Sequence, residues 1–288
     1  MSLEGKLDHI RSRALTGDLE SQVQLGCKYY EGEDTPVDYK MAAYWFQRAA
    51  RKGDRWAQYC LGTLYFCGEG VPQCFELVLK WVRKSAVQGL IDAQILLGYM
   101  YQHGIGTRKR PREAFKWITM AAGQDDELGQ HMLAEMYANG EGTTQDYYRA
   151  AEEYQKAVDG DVTSAFHALG NLYLYGLGVP QESLKAVELF SQSAEKGSSA
   201  SCSSLGLIFF YGNGVPVHRS IGYAWLVQSV ACEQDLEMKA KAVNLCATLR
   251  SELSEAELNE AERMSRSIAL RLEEKSKSSN SSQRNGEK

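Results

Sequence analysis

Apolar residues in this chain come in short runs at helical spacing, and each run ends in a glycine-rich turn. The clearest stretch is Leu61-Gly62-Thr63-Leu64-Tyr65-Phe66-Cys67-Gly68-Glu69-Gly70-Val71-Pro72, where Leu61, Leu64 and Tyr65 share one helical face. It returns as Leu97-Gly98…Gly104-Ile105-Gly106, as Leu169-Gly170…Gly176-Leu177-Gly178-Val179-Pro180 and as Leu205-Gly206…Gly212-Asn213-Gly214-Val215-Pro216. Weaker copies open at Leu25-Gly26 and Leu133-Ala134. The small residue after the leucine stands at 26, 62, 98, 134, 170 and 206, a constant step of 36. A fixed period of this size predicts a stacked array of identical units that bury one core between neighbours.

Each unit reads as helix A, a turn, helix B and a shorter turn back. In the second, helix A is predicted from Asp54 to Cys67, and Gly68 ends it in the left-handed conformation that glycine adopts without strain. Helix B carries Trp81, Val82, Ser85 and Ala86 and closes at Gly89; in the first unit Asp38 is placed to cap it. All five prolines (36, 72, 111, 180, 216) are expected in the A-to-B turn, where Pro forbids continuation of helix A. A glycine inside a helix costs about 0.8–1.0 kcal/mol against alanine. Its recurrence at 26, 62, 98, 170 and 206 therefore predicts a helix B so close that a β-carbon would clash. The expected boundaries are a capping helix at 1–16, six repeats over 17–234 (17–52, 53–88, 89–124, 125–159, 160–196, 197–234), capping helices at 235–274 and a disordered polar tail at 275–288. Ser254 with Glu257 forms a capping-box pattern at the start of the last helix.

The run Ala57-Gln58-Tyr59-Cys60-Leu61-Gly62-x-x-Tyr65-x-x-Gly68-x-Gly70-Val71-Pro72, with the alanine-rich helix that follows such turns, resembles the Sel1-like repeat, a branch of the tetratricopeptide-type arrays. Departures are local: Asp34 replaces the second turn glycine of repeat one, repeat three lacks Val-Pro and has Asp125 at the closing position, and repeat six closes without glycine. The resemblance implies an all-α, right-handed superhelical solenoid of six helix pairs whose A helices line a concave face. The phases it implies for that face give Tyr30; Trp56, Tyr59 and Phe66; Tyr99 and His103; His131 and Asn139; His167, Asn171 and Tyr175; and Phe210 and Tyr211. Some of these aromatics could equally be ordinary core against the neighbouring helix.

Composition narrows the class of action. Hydrophobic content of 44% and charged content of 24% belong to a folded soluble chain. A net charge of -5 argues against nucleic acid, which selects basic surfaces. No stretch reaches the ~18 apolar residues of a membrane span, and the polar start Met1–Lys6 predicts a cytoplasmic protein without a signal peptide. Seven cysteines (27, 60, 67, 74, 202, 232, 246) form no Cys-x-x-Cys pair and read as reduced thiols. Some secreted relatives of the family this chain resembles carry one disulfide per repeat. Cys202 matches the first such position while Cys232 falls two residues past the second, so the pattern favours two thiols and leaves the pairing open.

No nucleophile elbow, P-loop or paired zinc-ligand motif is present in the sequence. The Gly-x-Gly turns follow helices and lack a third glycine, unlike phosphate-binding loops. His103, His131 and His167 come from successive repeats, about 10 Å apart at helix-packing distances, too far to share one metal. Arg108-Lys109-Arg110-Pro111-Arg112 is the densest basic cluster and sits in a turn, where a solvated loop is the ordinary reading and acidic docking the sharper one. The expected function is a monomeric, non-enzymatic adaptor without cofactor or metal, binding a peptide or protein segment along the A helices. Two alternatives stay open: hydrolysis of cell-wall fragments or β-lactams, an activity claimed for some cysteine-rich relatives, and a self-associating structural protein.

Overall fold

The computed structural model describes the backbone of residues 3–286 and the side chains of residues 7–275. The described residues form fifteen α-helices in two compact units that divide between Gln145 and Asp146. The first unit holds α1 (Leu3–Thr16), then α2 (Leu19–Glu31), α3 (Tyr39–Arg51), α4 (Arg55–Cys67), α5 (Phe75–Val87), α6 (Ile91–His103), α7 (Pro111–Ala122) and α8 (Glu127–Asn139). The second holds α9 (Tyr147–Asp159), α10 (Thr163–Tyr175), α11 (Ser183–Glu195), α12 (Ser199–Tyr211), α13 (Arg219–Cys232), α14 (Leu236–Arg250) and α15 (Glu255–Gly286). The even-numbered helices α2 to α12 are A helices and their successors α3 to α13 are B helices, so the fold is an all-α array of helix pairs. The division falls inside the fourth repeat, between its A and B helices, although the sequence period runs through it unbroken.

Local chemistry sets the helix limits. Asp18, Asp54 and Asp126 cap A helices by accepting the N–H of the third residue on, at 2.9, 2.7 and 2.7 Å. Asp38 caps α3, accepting from Lys40 and Met41 at 3.0 Å each, as its position in the sequence requires. Each A helix stops at a left-handed glycine; at Gly68 (φ 76°) the N–H returns to the Leu64 carbonyl at 2.9 Å. Where glycine is missing from a left-handed position, aspartate stands in: Asp34, Asp125 and Asp161 have φ of 60°, 59° and 68°. Aspartate tolerates this region better than most residues because its short side chain bonds locally. Asp34 also pairs with Lys28 at 2.7 Å. Pro111 departs from the expected turn position. It opens α7 as its first residue, where a missing N–H costs nothing and the fixed φ suits the helix.

The five glycines at 26, 62, 98, 170 and 206 each face the expected B helix. A β-carbon on Gly62 would lie 2.7 Å from Val82 Cγ2, and the same approach recurs between Gly26 and Phe46, Gly98 and Ile118, Gly170 and Phe190, and Gly206 and Leu226. Within the units, A helices such as α4 pack against both their own B helix, α5, and the B helix before it, α3. A buried glutamine ties the second contact. Gln22, Gln58 and Gln94 donate to the carbonyls of Ala14, Ala50 and Ala86 at 3.0, 3.1 and 3.2 Å. Since Ala14 lies in α1, that capping helix occupies the place of a B helix ahead of the first repeat.

At the other end α13 packs against α14 and α15. Ser254 and Glu257 close the expected capping box, with the Ser254 N–H and hydroxyl both donating to the Glu257 carboxylate at 2.8 and 2.7 Å. Gln228 donates to Ser265, and Arg271 pairs with Glu195 of α11 at 2.6 Å. The helix runs on to Gly286, past Glu274 and into the stretch expected to be disordered, while Glu287 and Lys288 lie outside the described residues. That stretch contains no proline, so its backbone can continue the helical hydrogen bonds.

Candidate functional site

The packing leaves one stripe of each A helix uncovered. Within each unit, an A helix that stands between two B helices is covered on two sides, so the exposed positions recur with the repeat. The last residue of each A helix is exposed in all six: Glu31, Cys67, His103, Asn139, Tyr175 and Tyr211. One turn earlier lie Tyr99, Glu135 and the half-buried Asn171. In the first unit the stripe also holds Trp56 and Leu128, and large side chains stand well out of it: Trp56 and Tyr99 are each 41% exposed. In the second unit Tyr175 and Tyr211 are 64% and 54% exposed.

Neighbouring side chains hold these groups in place. The Trp56 and Tyr59 rings lie 5.7 Å apart, and the His103 ring meets Tyr99 at a tilt of 48° with centroids 4.3 Å apart. Tyr59 is partly buried against the core, and the desolvation pushes its phenol pKa up. In the second unit the Asn171 amide faces His167 Nδ1 at 3.4 Å, and His167 Nε2 meets Ser204 Oγ at 3.2 Å. An amide donor at Nδ1 selects the neutral Nε2–H tautomer of His167.

Four residues expected on this face are placed elsewhere. Phe210 is 1% exposed in a core with Leu226, Cys246 and Leu249. Tyr30 and Phe66 occupy the same position of their helices and turn toward the first residue of the next helix, meeting Tyr39 at 5.5 Å and Phe75 at 5.8 Å. Phe210 does likewise, with the Arg219 guanidinium 5.8 Å from its ring. This position closes the A-to-B turn; of the three, only Tyr30 remains exposed, at 40%. His131 is buried and lies 3.6 Å from Glu135, a neighbour that the sequence phases left out.

Burial holds the pKa values of both His131 and His167 below the ordinary 6.5, with Glu135 opposing the shift at His131. Above that value both states of the chain carry neutral imidazoles and the stability is fully present. As pH falls through 6.5 the unfolded chain takes up protons that the folded chain refuses, so stability declines toward the lower folded values. Urea midpoints measured at about pH 7.5 and about pH 5.5 are expected to drop on acidification, and His131→Gln/His167→Gln is expected to flatten that drop.

The remaining chemistry is sparse. Among the described residues no three His, Cys, Asp or Glu side chains gather into a metal-binding group, and no helix is long and apolar enough to cross a membrane. All seven cysteines are free. Cys202 and Cys232 nevertheless touch: a hydrogen bond from the Cys202 thiol draws the Cys232 pKa down to about 7, while Cys202 itself is pushed up.

A protein-family model described as Sel1 repeat matches residues 19–54, 57–89, 91–126, 128–162, 164–198 and 199–231. Among solved structures the chain is similar to a Sel1 repeat protein from Oxalobacter formigenes, at 27% identity and a TM-score of 0.66, over 76% of this chain and 86% of that one. It is also similar to a protective antigen present in uropathogenic Escherichia coli strains that displays an SLR fold, at 28% identity and a TM-score of 0.60. That match covers 93% of this chain but 64% of the antigen, so the chain spans less than two thirds of the antigen's length. No curated protein matches the chain.

Proposed function

The chain belongs to the Sel1 repeat family, and on that premise we propose that it is a non-enzymatic scaffold that binds a peptide or protein segment along the exposed stripe of its A helices. The observation that carries this reading is the exposure of large aromatics on a stripe that both flanking B helices leave bare. Trp56, Tyr99, Tyr175 and Tyr211 expose between 41% and 64% of their surface there. Aromatic side chains of this kind dominate binding energy in protein interfaces, because they bury much area with few rotatable bonds. Asn139, at the exposed end of α8, and Asn171 add amides that can both donate to and accept from an extended backbone. His103, in contact with Tyr99, gives the same wall a ring nitrogen.

The reading is tested by capture of partners on immobilised chain, with Trp56→Ala/Tyr99→Ala beside Tyr44→Ala, which alters an exposed aromatic of a B helix (45% exposed). A partner held by wild type is expected to survive Tyr44→Ala and to weaken by about thirtyfold or more in the double variant, the scale of losing one interface anchor. Equal capture by all three proteins would move the interface off the A helices.

A further inference from the structure

The basic turn before α7 builds a second, chemically distinct site. A cavity of about 860 Å³ lies between that turn and the one that follows α8, with Arg108, Arg110, Arg112 and Glu113 on one side and Thr143 and Thr144 on the other. A similar hollow forms in the second unit, where one turn overlies the start of the preceding B helix. The counterpart in the second unit is about 470 Å³ and lined by Gln181, Glu182, Ser183, Leu184 and Gly214, without a single cation. The first-unit cavity differs in chemistry.

Its cations have no carboxylate partner among the described residues, and Arg110 sets its guanidinium 5.8 Å from the centre of the Tyr101 ring. None of the ion pairs among the described residues uses Arg108, Lys109, Arg110 or Arg112, and Glu113 pairs with none of them. Arg110 stands where Asp38 and Asp146 accept helix N–H groups, and α7 has no side-chain cap. A guanidinium at that place adds positive charge to the positive end of a helix, so the arrangement is unfavourable until an anion joins it. Three guanidiniums, two threonines and the uncapped first turn of α7 around one cavity suit a phosphate monoester, which carries about −1.5 to −2 charges and three strong acceptor oxygens. The cavity is far larger than a free phosphate ion and has room for the side chain and flanking backbone that carry one. An extended nucleic acid or a membrane surface would ask for a broad basic face, and this chain has a net charge of -5 with its densest basic cluster confined to one turn.

We propose that this cavity binds a phosphorylated serine or threonine of a protein partner, with Arg108 and Arg112 pairing to the phosphoryl oxygens. The site is independent of the A-helix stripe and can stand or fall without it. The probe is a degenerate peptide library centred on phosphothreonine, beside its unphosphorylated twin, titrated into the full chain by fluorescence polarisation. The phosphorylated library alone is expected to bind, more weakly as salt rises, and Arg108→Ala/Arg112→Ala is expected to weaken it by at least about tenfold. Arg110→Asp separates binding from folding, because it restores the cap used by α3 and should raise the melting temperature while weakening the phosphopeptide. Equal binding of both libraries, binding of neither, or affinity unchanged in the variants would overturn the proposal. So would capture of the wild type by phosphatidylserine vesicles without phosphopeptide binding, which would assign the cluster to a lipid surface.

Discussion

Replacing Gly70 by alanine is expected to destabilise the first unit by about 3–5 kcal/mol, whereas the same change at Gly89 should cost only about 1–2 kcal/mol. Both glycines have positive φ, 68° and 84°, so alanine meets the same left-handed penalty at each. They differ in surroundings. A β-carbon on Gly70 would lie 2.2 Å from the Tyr39 carbonyl carbon and 2.6 Å from the Lys40 nitrogen, both backbone atoms at the start of the preceding B helix. On Gly89 it would meet nothing within 4 Å. Backbone cannot rotate aside as a side-chain tip can, so the repeats themselves would have to separate. Urea denaturation of the two variants measures the difference directly, as a shift in midpoint at unchanged slope. Similar losses at both positions would mean that the second turn glycine serves only the turn and does not hold repeat to repeat.

The second large effect is expected at Phe190, where alanine should cost about 3–5 kcal/mol in the second unit. Phe190 is fully buried and its ring sits over Gly170, whose missing β-carbon leaves the space it fills: a β-carbon there would lie 2.8 Å from Phe190 Cε1. Ala186, Ala194 and Leu205 surround it in the same core, so truncation opens a cavity between helices that cannot close without moving the glycine contact. The pairing makes a sharper demand than the single loss. Gly170→Ala should be costly beside Phe190 and much cheaper in a Phe190→Leu background, giving a favourable coupling in a double-mutant cycle. Additive losses would show that ring and glycine are not one packing unit.

These two residues also mark how far the sequence could be read. The period of the small residues carried the helix pairs, the turns and the close approach of A to B, because each depends on a backbone need that only glycine meets. The phase of the exposed face was harder. The A helices are covered on two sides and carry apolar residues nearly all round, as in Ser199–Tyr211, so no single hydrophobic stripe points away from solvent. Phases drawn from resemblance therefore placed Phe210 on the open face, when its position closes the turn onto the next helix. Asn139, His103, Tyr175 and Tyr211 came out on the exposed side because they end their helices, beyond the reach of either neighbour. Pro111 misled for a different reason: proline interrupts one helix and starts another equally well, and only the structure decides which. The buried Gln22, Gln58 and Gln94 were visible as a repeated residue four places before the glycine, but a period alone does not say that they satisfy the previous helix's carbonyls. Nothing in the unbroken period announced the division at Gln145.

The most direct measurement is photo-crosslinking from single positions, with benzoylphenylalanine placed at 99 on α6 and, separately, at 44 on α3. Both sites are exposed tyrosines, 41% and 45%, so accessibility is matched and only the helix face differs. The account predicts a crosslinked second polypeptide from position 99 and none from position 44. Crosslinks from 44 with none from 99 would contradict it, placing the partner on the B helices and leaving the A-helix aromatics without the role proposed for them.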